Sequence, residues 1–347
     1  MFLKKKQFWG TLVAIALLVY CVKDIRLHHL EALSERLDWV YLVPAVASAF
    51  VFMIARALRW RLMVSRNRSV PAGRVITLYS AGQILNIIMP ALTGQVGRLI
   101  LFARSEGLRK TFVFSTILLE VLFDAISLII VLILTSLAFV LPAKYGPAGY
   151  IISALVAVVL ILLYLILHYQ HRLEDIGRKH LRDRWPGIYV SLRKSIRSFT
   201  QGLNLLRSSQ HFIGGLFYSL LSWITHILVV YFLLRSFGFH LPIAAAASVM
   251  IINTLALMIP ITPGNAGTFE FAVSTALAAF PEVGRSDAVL FALALHILDI
   301  LPMMLLGFIY LKFARVSISE LKEKHEDEDI FDRVSDDGTL IEDEETV

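Results

Sequence analysis

Residues 112–140 read FVFSTILLEVLFDAISLIIVLILTSLAFV, and only Glu120 and Asp124 carry charge in the whole run. A helix rises about 1.5 Å per residue, and the hydrocarbon of a bilayer is about 30 Å thick. A run this long and this apolar is therefore a membrane span. Ile151–Leu167 and Phe212–Leu234 read the same way. The chain as a whole is 57% hydrophobic, above the roughly 45–50% of soluble domains. Its longest hydrophilic stretch, about 168–211, is too short and too basic to build a core of its own. The fold class is all-α, a polytopic membrane helix bundle.

Six runs read as full spans: 8–22, 39–60, 112–140, 148–168, 212–235 and 288–312. The start, Met1-Phe-Leu-Lys-Lys-Lys before Phe8–Tyr20, is built like a signal peptide. It lacks a small-x-small cleavage site, so an uncleaved first span is expected. Cys21, the single cysteine, lies in this run and reads as a small hydrophobe.

Lys and Arg gather on the cytoplasmic side of short loops. With the N-terminus inside, 24 bases fall inside and six outside, leaving the acidic tail aside. Both termini are then cytoplasmic, in a cell (inner) membrane. The tail divides the chain into a membrane-embedded domain, 1–315, and a segment, 316–347, with Glu326-Asp-Glu-Asp329 and Glu342-Asp-Glu-Glu345. Such a composition buries too little apolar surface to fold alone. Residues 188–207 place Ile188, Leu192, Ile196, Phe199, Leu203 and Leu206 on one helical face, with Arg193, Lys194 and Arg197 mostly opposite. That pattern suits a helix lying on the inner membrane surface near anionic headgroups.

Two hydrophobic segments, 75–97 and 242–280, are broken by Pro and Gly near their middles. The first holds Asn86, Pro90, Gly94, Gln95, Gly97 and Arg98. The second holds Asn253, Pro260, Thr262, Pro263, Gly264, Asn265, Gly267 and Glu270. Both share the spacing Pro-x3-Gly-(Gln/Asn)-x-Gly. A pair of full spans at each place fits the charge pattern. Re-entrant segments fit it as well: 75–97 then enters from the cytoplasm and 242–280 from outside, with flanking spans in opposite senses. That is an inverted repeat of the kind found in secondary transporters. Pro removes a backbone donor, Gly admits unusual backbone, and unwound chain at membrane depth must face protein or a water-filled cavity. Free amides at such breaks suit an anion.

Ionisable side chains inside spans are costly and mark function or pairing. Glu120 and Asp124 are four apart and share a helix face, so they repel unless one is protonated or paired with a cation. Arg98 follows the first break, Glu270 the second, and His296 and Asp299 stand three apart on the last span. The expected pairs are Arg98 with Glu120 and His296 with Asp299. His226, alone in an apolar span, reads as a core residue. No Walker loop, H-E-x-x-H or zinc-spaced Cys/His cluster occurs, so neither metal, cofactor nor nucleic acid is expected.

These residues carry a resemblance. Thr262-Pro-Gly-Asn-Ala-Gly-Thr-Phe-Glu270 resembles the T-P-G-G-x-G-x-x-E signature of the flippase-like integral membrane family named for the transmembrane domain of lysylphosphatidylglycerol synthases. Asn86–Pro90 with Gly97-Arg98 and Gly107 resembles its N-x3-P…G…R…G block, Glu120 and Asp124 its E-x3-D pair, and His296–Gly307 with Pro302 its last span. The likeness covers most of 8–315. Four positions depart from it: Asn265 replaces the second Gly, Gln95-Val96 replaces an acid, and Val121 and His296 stand where Arg is common. The resemblance implies movement between leaflets of an anionic, amino-acylated or polyprenyl-linked lipid. The soluble aminoacyl-transferring domain of the synthases has no counterpart here, so aminoacyl transfer is not expected. The headgroup would meet Arg98, Asn86, Asn253 and the amides of Gly94–Gly97 and Gly264–Gly267. Glu120, Asp124, Glu270, His296 and Asp299 would pair with Arg98 or meet a cationic headgroup or proton. Membrane lipids are the expected partners, and a homo-oligomer is compatible with the pattern. Two other readings stay open: a membrane-embedded enzyme acting on a lipid, and a non-transporting subunit that docks through its tail.

Overall fold

The computed structural model describes residues 12–21, 23, 37–65, 69–88, 92–108, 110–138, 209–257 and 262–314. The expected span 148–168, the surface helix 188–207, the acidic tail, Pro90 and Pro260 lie outside them. Among the described residues every regular element is a helix. In chain order these are α1 Leu12–Cys21, α2 Trp39–Val64, α3 Ala72–Ile88, α4 Leu92–Glu106, α5 Lys110–Ala138, α6 Ser209–Ser236, α7 Ile243–Ala256, a 3-10 turn Pro263–Asn265, α8 Thr268–Leu277 and α9 Arg285–Ala314.

Four of the described helices are long and apolar enough to cross a membrane: Trp39–Val64, Phe112–Thr135, Gln210–Ser236 and Arg285–Phe313. They coincide with four expected spans. α2 starts sharply because Asp38 accepts the Val40 amide at 2.9 Å, which satisfies one donor of the first turn. It runs four residues past the expected end at 60, and the added turn buries Met63 and Val64. Trp39, Val40, Val43, Leu137, Ile213, Phe217 and Phe313 all lie exposed. In lipid such side chains need no cover, since the solvent is itself apolar.

The shorter helices behave differently. α3, α4, α7 and α8 have 17, 15, 14 and 10 residues, so they reach about 15–26 Å at 1.5 Å per residue. None crosses roughly 30 Å of hydrocarbon upright. They occupy the two broken segments. α3 packs on α4 and α7 on α8, and each short pair also meets a long helix distant in sequence: α3 lies along α9, and α7 touches α5. The most extensive helix packing is α2 against α6.

Small residues set these approaches, as they do between helices in lipid. A Cβ on Gly94 would stand 2.7 Å from Asn86 Cα, so α4 folds tightly back on α3. A Cβ on Gly307 would stand 2.9 Å from the backbone of Ser80 and Ala81. Backbone cannot step aside as a flexible side chain can. Gly307→Ala is therefore expected to cost about 1–3 kcal/mol by overpacking, read as a lower unfolding temperature in detergent. Gly73→Ala, with nothing within 4 Å, is the matched control and should not lower it.

Candidate functional site

Among the described residues, four sets of paired ionisable groups lie between the helices, beside the Arg74–Glu106 pair, whose arginine is exposed. The first joins α4 to α5. Arg98 Nη2 donates to Glu120 Oε2 at 2.5 Å, with side chains only 3% and 4% exposed. The guanidinium also sits 4.7 Å from the Tyr79 ring and 5.2 Å from the Phe102 ring, which favours the cation by cation–π attraction. This is the expected pair. Around it several buried polar atoms have no protein partner: Arg98 Nε, Glu120 Oε1, Tyr79 Oη, Gln83 Nε2 and Asn86 Oδ1. Asn86 does donate to Gln83 Oε1 at 3.1 Å. Buried polar atoms are ordinarily bonded, so the α3–α4–α5 junction has hydrogen-bonding capacity left over.

The second pair joins α2 to α5. Arg59 donates through both terminal nitrogens to Asp124, one contact very short and the other 3.1 Å. Arg59 also donates to Ser219 Oγ of α6 at 2.6 Å, and Ser219 Oγ donates to Asp124 at 3.2 Å. Arg56 adds a second cation 3.7 Å from the same carboxylate. The repulsion expected between Glu120 and Asp124 is thus relieved by a separate arginine for each. Arg56 and Arg59 stand near the C-terminal end of α2, and the base count places both on the cytoplasmic side. Arg59 is fully buried. Burial of an arginine is costly unless its charge is met; Asp124 meets the charge and, with Ser219, bonds the terminal nitrogens, while the buried Nε has no protein partner.

The remaining pairs correct an expectation. His296 does not bond Asp299. Its Nδ1 lies 2.7 Å from Glu270 Oε1 on α8, with the ring stacked on Phe269 at 4.3 Å. Asp299 instead bonds His226 of α6 at 3.1 and 3.3 Å, and that imidazole stacks on Phe52 of α2 at 4.5 Å. His226 is therefore one half of a pair and not a plain core residue. Residues 296 and 299 are close along one helix, but helix neighbours on α6 and α8 present complementary groups at bonding distance.

The second break has the backbone that its sequence suggests. Gly264 has φ +59°, Asn265 +58° and Gly267 +82°. These are left-handed values, natural for Gly and within reach of Asn. Thr262 and Thr268 hydroxyls lie 3.1 Å apart, and Thr268 Oγ1 donates to the Asn265 carbonyl at 2.9 Å. The Gly267 amide donates to Glu270 Oε2 at 2.6 Å, so α8 is capped at its N-terminus by its own carboxylate. That amide is already engaged. The first break differs: Gly94 and Gly97 are helical residues of α4, not unwound backbone. Gly97, the sixth residue of that helix, lies past the first turn with its free amides. The two breaks meet directly. A Cβ on Gly264 would stand 3.1 Å from Ile87 Cγ2, near the end of α3. Asn253 is buried on α7, and its Oδ1 has no protein partner.

Sequence reasoning missed Arg56, Arg59, Ser219, Phe52 and Phe269 as site residues. One signal was available for the arginines: they are one turn apart on the helix that must neighbour an intramembrane acid.

Comparison with known proteins agrees with this architecture. Residues 7–307 match the family described as the lysylphosphatidylglycerol synthase TM region. The chain is also 23% identical over 259 residues to the UPF0104 membrane protein of Methanothermobacter thermautotrophicus, covering 70% of this chain and 76% of that protein. No solved structure matches it. A match over this much of the chain, with apolar helices of spanning length, makes the protein a multi-pass membrane protein that belongs to the lysylphosphatidylglycerol synthase TM-region family.

Proposed function

We propose that the protein moves an anionic or modified phospholipid between leaflets, along a path bordered by the two broken segments. The observation that carries this reading is the contact of the two broken segments at Ile87 and Gly264, in a bundle with four sets of ion-paired groups between its helices. A buried ion pair costs desolvation and gives little net stability over an apolar pair. Four of them in a membrane bundle mark a polar route through apolar surroundings. The unpartnered polar atoms beside Arg98 supply donors and acceptors for a phosphate or glycerol headgroup.

The route would lie between inverted halves. What supports the repeat is the order long, short, short, long, seen in α2–α5 and again in α6–α9. Ion-pair placement supports it independently. Arg56 and His226 each stand seventeen residues after the first residue of their helices, Trp39 and Ser209. Asp124 and Asp299 each stand fourteen after Lys110 and Arg285. Arg56 faces Asp124 as His226 faces Asp299. Both termini would be cytoplasmic in the plasma membrane, by the distribution of bases.

The test is exchange of a tail-labelled phosphatidylglycerol between leaflets of proteoliposomes. Glu270→Gln keeps the size of the side chain but removes the charge that holds His296 and the Gly267 amide. Loss of about 1.4 kcal/mol of this bonding in the transporting state slows exchange about tenfold, with the elution profile unchanged. Wild-type exchange by Glu270→Gln would remove Glu270 from the path.

A further inference from the structure

We propose that His226 and Asp299 form a proton-binding site that couples proton uptake to movement of the anionic headgroup. This rests on the translocation reading and names its coupling ion. The site is the titratable counterpart of Arg56–Asp124, at the corresponding positions of the other half. The two pairs also share an aromatic side chain. Phe52 stacks on the His226 ring and carries the Arg56 guanidinium 5.5 Å from its own centroid.

The chemistry of the two pairs differs in one respect. A guanidinium stays charged at any working pH, whereas an imidazole gains or loses its proton between about pH 5 and 8. Asp124 is held by two arginines and Asp299 by one histidine. The five groups Arg56, Arg59, Asp124, His226 and Asp299 therefore carry net charge +1 with His226 protonated and zero without it. Without the proton, Asp299 has no bonded cation of its own, and Arg56, which shares Phe52 with His226, is already paired with Asp124 beside Arg59. With the proton, Asp299 is satisfied, and the one surplus positive charge of the five groups favours an anion. Proton binding and anion binding at this place thus favour one another, by necessity equally.

Access agrees with this role. The His226 and Asp299 side chains are 17% and 16% exposed, and Arg56 and Asp124 both 29%, whereas Arg98 and Glu120 are closed off. Ionisable groups within membrane spans face the bundle interior or a water-filled cavity, and partial exposure gives His226, Asp299, Arg56 and Asp124 room to meet a ligand. Three further ion pairs lie on the packed helices, Arg98 with Glu120, Glu270 with His296 and Arg74 with Glu106, while Arg61 bonds the Val70 carbonyl and Arg235 lies over the Tyr231 ring. His296 is the one other imidazole among these, so it must be tested alongside.

The experiment measures proton uptake by the purified full chain, in weakly buffered detergent near pH 7, on adding a short-chain phosphatidylglycerol. It is paired with the pH profile of leaflet exchange. Wild type should take up close to one proton per chain and exchange several-fold faster at pH 6 than at pH 8. His226→Arg keeps a cation against Asp299, copying the other half, and should abolish the uptake and flatten the profile. Asp299→Asn, should His226→Arg fail to fold, must also abolish the uptake. Uptake that survives both variants, or that is lost in His296→Gln instead, overturns the proposal. Uptake elicited equally by inorganic phosphate overturns the coupling to lipid. Uptake confined to wild type, without any leaflet exchange, keeps the proton site and refutes the translocation reading on which its coupling was built.

Discussion

Arg98→Ala is expected to yield little folded protein, with most of the product aggregated on size exclusion in mild detergent. The substitution leaves Glu120, 3% exposed, without the Arg98 guanidinium that neutralises it across the α4–α5 contact. Removing one member of a buried pair costs about 3–5 kcal/mol, because the survivor is a buried, uncompensated charge. The same substitution also takes the cation from between Tyr79 and Phe102. Removing both charges together has a different outcome. Arg98→Met combined with Glu120→Gln leaves no orphaned ion, and replacement of whole buried pairs by neutral groups is often tolerated. The double variant should recover a monodisperse peak while lacking leaflet exchange. Recovery of fold by Arg98→Ala alone, at the wild-type unfolding temperature, would show that Glu120 is satisfied without Arg98.

Asp124→Ala is the second large effect, and it should exceed that of Arg59→Ala. Asp124 answers two arginines, so its loss leaves Arg59 fully buried with Ser219 as its remaining partner. The expected cost is again about 3–5 kcal/mol. Losing Arg59 is milder, because Arg56 remains 3.7 Å from Asp124 and retains part of the attraction. Arg59→Lys is no rescue, since an ammonium cannot reproduce the two-pronged contact with Asp124. Unfolding temperatures of the three variants, measured together, check the ordering Asp124→Ala below Arg59→Ala below wild type. An Asp124→Ala protein more stable than Arg59→Ala would contradict the assignment of partners.

Much of the bundle was legible in the chain because membrane spans announce themselves by length and polarity. The run 112–140 could be nothing else, and Glu120 within it demanded a cation, which Arg98 supplies. What could not be read was register between helices. Whether Asp124 meets Arg59 depends on how α2 slides and turns against α5, and no period within either helix records that. Arg59 resembles an end-of-span base in sequence and becomes a core residue through tertiary contacts alone. His226 misled for the same reason: its partner is 73 positions away. The two breaks teach a related lesson. They share glycine spacing, yet Gly94 and Gly97 lie in a regular helix while Gly264 and Gly267 take positive φ. Glycine permits a left-handed turn without requiring one. In α4 it serves close packing against Asn86. In the second segment Pro263 immediately precedes Gly264, and the chain turns there.

The most direct test of lipid movement between the halves is the rate at which tail-labelled phosphatidylglycerol leaves the inner leaflet of sealed proteoliposomes. The labelled lipid should become accessible to an external quencher on wild-type protein at least tenfold faster than in protein-free vesicles, a difference of about 1.4 kcal/mol in barrier height. Equal rates with and without the wild-type protein, across anionic and aminoacylated headgroups and with a proton gradient imposed, would contradict it.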